Sequence, residues 1–523
     1  MAPIKKLFLL ALAAVMPAIL FAQIPVNTVN NINWSLMPFW HSASLLGVSA
    51  HYSSGSPLTE GISTGILKMD DNSIISNVQL DDNNYGVIRL NKDMSTQWIT
   101  NLDGFPIAIG MFNGQILVIT ASELSSWKGI NNDYFGFLID PKTGRAFLKK
   151  ELYNGGDQFY QQPVFLYSPD GSFFKMVVRI SNFTRGAHNP LLMFSEDKVV
   201  GQYFTTNDIK LMTFDNTLNV KSTIKPVLTD GYFVGGTTNK NGDVFLMTEF
   251  SQGYVKIARY ENEKTTPAKV IDLPVNMEDA VIVNLQDLNV LTSKEDPSVL
   301  FFAGTYFNAA KDMELVTAKF NFKDGKVDRD IQPMDKAYFK DLEKSYVPFS
   351  KKFNSVDLGS KNEMRIKNVI ENDGKLIVSL SSYSFRSGNN TAGTSNSISA
   401  YDLLINIYDP KVSLQFQQVI PRYYGTLNGA RLGIGMHIKN NVLYLIANSN
   451  KGWGGVKALY SAIDLKTGAI TNITGIDKGD IKSTYAVDPY ASFWFDSQFV
   501  LSYLQDKGVF KKSEDAHMQL LNY

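Results

Sequence analysis

The 523-residue chain contains no cysteine. That excludes disulfides, thiolate zinc sites, a cysteine nucleophile and a lipid-modified N-terminal cysteine. A chain of about 500 residues does not need such cross-links, because it can bury a sizeable apolar core. Histidine is scarce: the five residues His41, His51, His188, His437 and His517 are dispersed. No His-Glu-x-x-His or His-x-His pattern occurs, and His41 and His51 read as two unrelated polar residues. There is no Gly-x-Ser-x-Gly elbow, although a Ser-His-acid triad meets only in space and spacing alone does not exclude one. No Gly-x-x-x-x-Gly-Lys-Ser/Thr loop is found. Gly433-Ile434-Gly435 and Gly452-Trp453-Gly454-Gly455 lie in strand or hairpin context and open no helix that could hold phosphate. Charge of one sign is also missing. Lys and Arg number 50 against 50 Asp and Glu, so the chain has no basic footprint for nucleic acid.

Long apolar runs are absent except at the start. Lys5 and Lys6 precede the uncharged run Leu7 to Ala22. That run is shorter than the roughly 20 residues of a membrane span, so residues 1–22 read as a secretory signal with cleavage after Ala22 and a mature chain beginning Gln23-Ile24-Pro25. Leu20 at the −3 position is larger than usual, and an uncleaved anchor is the competing reading. Without Lys5 and Lys6 the mature charge is −2. An exported chain without cysteine suits a bacterial envelope better than eukaryotic secretion. The expected location is the periplasm, the outer membrane or the cell exterior, with no transmembrane segment in the mature chain.

What is abundant is strand pattern. Phe233-Val234-Gly235-Gly236-Thr237 is a short strand, Asn239-Lys240-Asn241-Gly242 a turn, and Asp243 to Thr248 the next strand. Tyr254 to Tyr260 alternates Val255, Ile257 and Ala258 with polar residues, and a fourth strand falls near Ala268 to Leu273. Four short strands with turn residues between them make one antiparallel unit. The same grammar recurs at Ile107 to Leu152, Lys367 to Pro421 and Leu432 to Ile476. Weaker copies start near Gly65, Pro163, Val281 and Tyr485, for a count of eight, with seven as the alternative. The last copy ends in Met518 to Tyr523 and lacks a strand, which Ile32 to Phe39 or Leu45 to Tyr52 would supply.

Two stretches break the pattern. Asp335 to Phe353 carries Tyr338, Phe339, Leu342 and Tyr346 at helical spacing, reading as an amphipathic helix inserted at about 335–353. It serves either as a lid on its own unit or as a docking helix. Ser387 to Ser397 is polar throughout, and its composition reads as a mobile loop between two strands.

The turns carry a resemblance. Ser168-Pro169-Asp170-Gly171 resembles the hairpin of WD40 and TolB-like propellers. Pro presets φ, Asp bonds its own turn and Gly accepts the open angle. Asp140-Pro141-Lys142-Thr143-Gly144 and Asp464-Leu465-Lys466-Thr467-Gly468 resemble the Asp-x-x-Thr-Gly turn of quinoprotein-like propeller repeats. With the repeat pattern, they imply an all-β fold: a β-propeller of seven or eight four-stranded antiparallel blades over residues 23–523, closed by pairing of N- and C-terminal strands. The quinoprotein likeness stops there. Phe147 and Ile470 stand near the places where such repeats set a Trp, and the adjacent cysteine pair is missing. No quinone, metal or other cofactor is expected.

A partial calcium pattern, Asp81-Asp82-Asn83-Asn84-Tyr85-Gly86, has Tyr85 where an oxygen ligand belongs and no closing Glu, so it reads as a plain turn. Acids beside aromatics, Trp494 with Asp488 and Asp496, or Asp157 with Phe159 and Tyr160, are the candidates for glycoside chemistry, with blade packing as the simpler account. No specific catalytic signature emerges. The expected function is a non-catalytic binding or scaffold module for a protein partner in the bacterial envelope or a polymeric ligand; the alternative is a carbohydrate-active or glycan-binding protein. The candidate partner-binding residues lie where connections leave the blade grammar: Asp157, Phe159, Tyr160, Arg185, His188, Tyr338, Phe339 and Trp453.

Overall fold

The computed structural model describes the chain except for residues 1–26, 35–36, 39–65, 81–83, 123–132, 155–162, 180–207, 229–231, 250–254, 273–280, 283–288, 308–311, 352, 359–363, 391–392, 427–432, 452–455, 478–480, 482–484, 496–497, 506–515 and 523. Strands such as Val244-Phe245-Leu246-Met247 are apolar without alternation because each blade is buried on both sides. Side chains alternate across the pleat. Phe245 and Met247 therefore enter one inter-blade core, while Val244 and Leu246 enter the other.

This pattern yields eight antiparallel sheets in sequence order. In blade 1, Met37–Pro38 and Ile66–Lys68 both pair with Ile74–Gln79, followed by Tyr85–Leu90 and Thr96–Leu102. Blade 2 is Phe105–Phe112, Gln115–Ala121, Tyr134–Ile139 and Ala146–Tyr153; blade 3 is Val164–Tyr167, Phe174–Arg179, Ile209–Phe214 and Val220–Ile224. Blade 4 is Tyr232–Thr238, Val244–Glu249, Val255–Tyr260 and Lys269–Asp272. In blade 5, Val281–Ile282 and Asn289–Thr292 lie beside Val299–Phe307, then Met313–Asn321 and Val327–Pro333. Blade 6 is Met364–Asn372, Lys375–Asn390, Gly393–Tyr408 and Leu414–Ile420, and blade 7 is Gly435–Lys439, Val442–Ser449, Lys457–Asp464 and Ile470–Ile476. Blade 8 is Tyr485–Trp494, Gln498–Gln505 and Ala516–Asn522, and its fourth place holds Asn27–Trp34, antiparallel to Ala516–Asn522.

A separate core fills each seam between successive blades, including one where Phe495, Val500, Met518 and Leu520 of blade 8 meet Ile74, Val78 and Ile88 of blade 1. The eight sheets therefore form a ring, a β-propeller. The count of eight expected from the repeats holds.

Helix α1, Lys336–Ser345, lies between blades 5 and 6. Asp335 caps it by accepting the Tyr338 N–H at 2.8 Å. Its apolar stripe faces inward, with Phe339 in the core shared by blades 5 and 6 and Tyr338, Leu342 and Tyr346 packed against that core. Ser387 to Ser397 departs from expectation. Apart from 391–392, it is strand, a continuation of the blade 6 hairpin paired from Arg386 opposite Ser397 to Asn390 opposite Gly393. Polar composition argues against core burial, but a ladder of backbone hydrogen bonds does not require a core.

Candidate functional site

In a four-stranded antiparallel blade, the turns after the first and third strands lie at one end of the ring. The connections after the second and fourth lie at the other. We call these ends the turn face and the connection face.

The turn face is built from short, side-chain-capped turns. Asp140 accepts the N–H groups of Lys142 and Thr143 at 2.7 and 2.9 Å, and Asp464 repeats this with Lys466 and Thr467 at 2.7 and 3.0 Å. Asp215 and Asp409 do the same for the N–H two residues on, both at 2.8–2.9 Å. These donors hold the Asp140 carboxyl below its ordinary range, and the Asn219 N–H leads in bringing Asp215 to about 2. Gly144 and Gly468 have φ of +73° and +70°, and a Cβ at either would lie 2.5 Å from the ring of Trp98 or Phe416 on the preceding blade.

These turns also stitch neighbouring blades. The Trp98 indole N–H donates to Pro141 O at 3.2 Å, Asn239 Nδ2 to Pro297 O at 2.8 Å, Lys319 Nζ to Pro410 O at 3.0 Å and Lys375 Nζ to Leu465 O at 3.2 Å. Each donor sits one blade before its acceptor.

The connection face is built from longer segments. Arg179 and Ile209 are joined by 29 residues (180–208), and Pro333 and Met364 by 30 (334–363). Six candidate residues, Asp157, Phe159, Tyr160, Arg185, His188 and Trp453, belong to these connections and lie outside the described residues. Half of the calcium-like segment, Asp81 to Asn83, also lies outside them, as does the Asp488 side chain. Tyr338 and Phe339 are described, and the structure turns both inward. Phe339 is buried, and the Tyr338 hydroxyl accepts from Gln417 Nε2 of blade 6. Burial raises the Tyr338 phenol well above its ordinary range. Their spacing marked the helix correctly, but the amphipathic stripe packs on the ring. Phe339 therefore offers a partner no direct contact, whereas Tyr338 is only partly buried.

A site that sequence reasoning missed lies at the connection-face end of blade 6. The ladder shifts register between Ser381 and Tyr383, and the resulting bulge carries Tyr401 and Asp402. A bulge re-aims a side chain, and here the Asp402 carboxylate sits fully buried among three chain segments. It accepts the N–H of Asp357 from the segment after α1 and the N–H of Arg422 from the link to blade 7. It also accepts Lys451 Nζ of blade 7 at 3.0 and 3.2 Å. Burial pushes the Asp402 carboxyl up to about 6, against the opposing pull of Lys451 and the two N–H groups.

The network continues into blade 8. Arg422 Nε donates to Asn448 O at 3.1 Å, and Asn448 Oδ1 accepts the Val487 N–H at 2.9 Å. Beside it, Tyr423 is exposed, its ring edge-on to Tyr401 at 5.8 Å and its hydroxyl 3.3 Å from Ser399 Oγ. The Asp402 oxygens are committed to these donors, so the group acts as a tie that positions the connections. A buried Asp is legible only as a charge in the two-sided apolar run Leu403-Leu404-Ile405; its partners lie far away in sequence.

Among the described residues no group of three or more His, Asp or Glu is arranged to hold a metal, and no helix is long and apolar enough to cross a membrane. No family model matches the chain, and no curated protein matches it. Solved structures do resemble it. The WD40 domain of SCAP from fission yeast is 8% identical with a TM-score of 0.39, over 89% of this chain and 96% of that one. The β-propeller domain of the Trilobed protease from Pyrococcus furiosus is 12% identical with a TM-score of 0.34, over 80% and 96%. A protein of unknown function from Dyadobacter fermentans is 7% identical with a TM-score of 0.35, over 96% and 100%. At these scores the likenesses say nothing about chemistry.

Proposed function

We propose that the chain is an exported β-propeller of the bacterial envelope. In this reading it acts as a non-catalytic binding or scaffold module, presenting its connection face to a protein partner or a polymeric ligand. The observation that carries the reading is the contrast between the two faces. One is spent on capped turns that stitch blades together, and the other bears connections far longer than a blade requires. Long connections on a rigid ring are where recognition residues are usually found. The absence of any catalytic sequence signature supports the same reading.

Replacing Asn182 to Pro190 with a glycine-serine segment should weaken capture of the partner from envelope membranes while leaving the melting temperature unchanged. The same holds for Asn154 to Gln161. If neither replacement alters capture, or if the purified chain hydrolyses a glycan, the reading fails. Export is tested separately: mass spectrometry of the native protein should find Gln23 at the N-terminus, and a retained Met1 would refute it.

A further inference from the structure

The blade 6 hairpin runs on past the blade. Its inner strand ends with Met364 opposite Ser382, but the next two strands continue paired from Tyr383 opposite Ala400 to Asn390 opposite Gly393. Eight residues at about 3.3 Å each make a ribbon about 25 Å long standing on the connection face. On one edge the ribbon has already taken a third strand, since Tyr424–Thr426 pairs with Ile398–Ala400. On the other edge, no strand among the described residues pairs with Ser384–Asn390.

That edge lacks the usual protection. Exposed edges are normally blunted by Lys, Pro, bulges or inward charges. The outer strands of blades 2 to 5 conform through charge, carrying Lys149, Lys150 and Glu151, Lys221, Lys269 and Asp272, and Asp328, Arg329 and Asp330. The uncharged outer strands of blades 1, 6, 7 and 8 each pair through a ladder with a register shift. Ser384-Phe385-Arg386-Ser387-Gly388-Asn389-Asn390 has one charge, no Pro and no Lys, and its ladder has no register break.

We propose that the edge Ser384–Asn390 takes an extended segment of a partner polypeptide as an added antiparallel strand. This rests on the reading of the connection face as a recognition surface and names the form of its partner. Strand addition draws affinity from main-chain hydrogen bonds, so it suits an edge with few distinctive side chains. A second copy of the chain is the poorer occupant. Seven residues of strand edge fall far short of the roughly 1,200–2,000 Å² that stable protein interfaces bury.

The test uses the full mature chain and a fluorescent eight-residue peptide with the sequence of residues 393–400, the strand that already pairs with this one on its other side. Binding should raise the anisotropy to saturation and slow hydrogen exchange of alternate amides within 384–390 at least tenfold. Neighbouring residues of a strand point their N–H groups to opposite edges, so Ser387→Pro and Gly388→Pro should differ. One should lose peptide binding at least tenfold with the ribbon's inner ladder still protected; the other should open the ladder. Three results overturn the proposal: no binding at millimolar peptide, outward-pointing amides of 384–390 already as protected in the free chain as those of the inner ladder, or protection that rises with chain concentration and so reports a second copy. If the proline variants still capture the envelope partner but the loop replacements do not, strand addition is wrong and the binding-module reading stands. If neither set affects capture, that reading fails as well.

Discussion

The turn face and the connection face are made by the same strands, yet their carboxylates behave in opposite ways. On the turn face Asp140, Asp170 and Asp215 are held below their ordinary range, and side-chain or backbone donors in their own turns do the lowering. On the connection face Asp402 is raised, because burial outweighs its partners. The first kind of carboxylate strengthens a local turn, and its donors together outweigh the desolvation it suffers. The second ties segments distant in sequence and bears a desolvation penalty. One face thus holds the ring through many small local contacts. The other holds its long connections through a few buried ones.

The bluntest way to break the comparison is to remove the ring that both faces share. Deleting Met518–Tyr523 removes the buried side chains of Met518, Leu520 and Leu521 and the strand facing Asn27–Trp34. At about 2–5 kcal/mol for each large buried side chain, the loss should exceed about 6 kcal/mol and abolish cooperative unfolding. A truncated chain that melts at the wild-type temperature would show that neither face depends on that blade. A sharper contrast sets Gly468→Ala against Asn450→Ala. The first forces a Cβ into the Phe416 ring at a positive φ and should cost about 2–3 kcal/mol in denaturant titration. The second, on the connection face, should stay within about 0.5 kcal/mol. Equal costs would erase the distinction between the faces.

Acidity separates the faces further. The folded-state carboxyl of Asp402 is raised, so its favourable contribution is complete below about 4 and is lost as pH rises through about 6. Unfolding free energies of the wild type relative to Asp402→Asn should therefore fall by about 2–3 kcal/mol between pH 4 and pH 7. A difference that grows over that interval would contradict the burial-dominated account. Asp215 has the opposite sign. Its contribution is present above its ordinary value of 3.8 and lost as pH falls through about 2. Asp215→Asn should produce the smallest effect, a slight loss of stability at neutral pH that fades as pH falls below about 4 and leaves a flatter acid limb.

The ring was legible in the sequence because its signals are local. Asn-Gly and Asp-x-x-Thr-Gly turns, together with strands apolar on both sides, report nothing beyond their own blade, and the helix announced itself through Asp335 and the spacing of Phe339 and Leu342. The connection face was harder. Ser387 to Ser397 was misread because composition reports side-chain burial, whereas its strands are held by backbone pairing. The direction of Tyr338 and Phe339 could not be read either, since a stripe that docks on a ring and one that docks on a partner have the same spacing. Asp402 depends on Asp357, Arg422 and Lys451, and no local pattern links them.

The stitches of the turn face have a consequence for inheritance. In each, the donor belongs to one blade and the acceptor to the turn of the next, as with Lys319 and Pro410 or Lys375 and Leu465. A blade copied together with its turn thus brings the means of joining both neighbours. Tandem duplication can lengthen such a chain by whole modules without inventing new joints. Once copied, each module is free to drift wherever no stitch, seam core or tie is involved, so sequence likeness among the blades fades long before the turns that join them do.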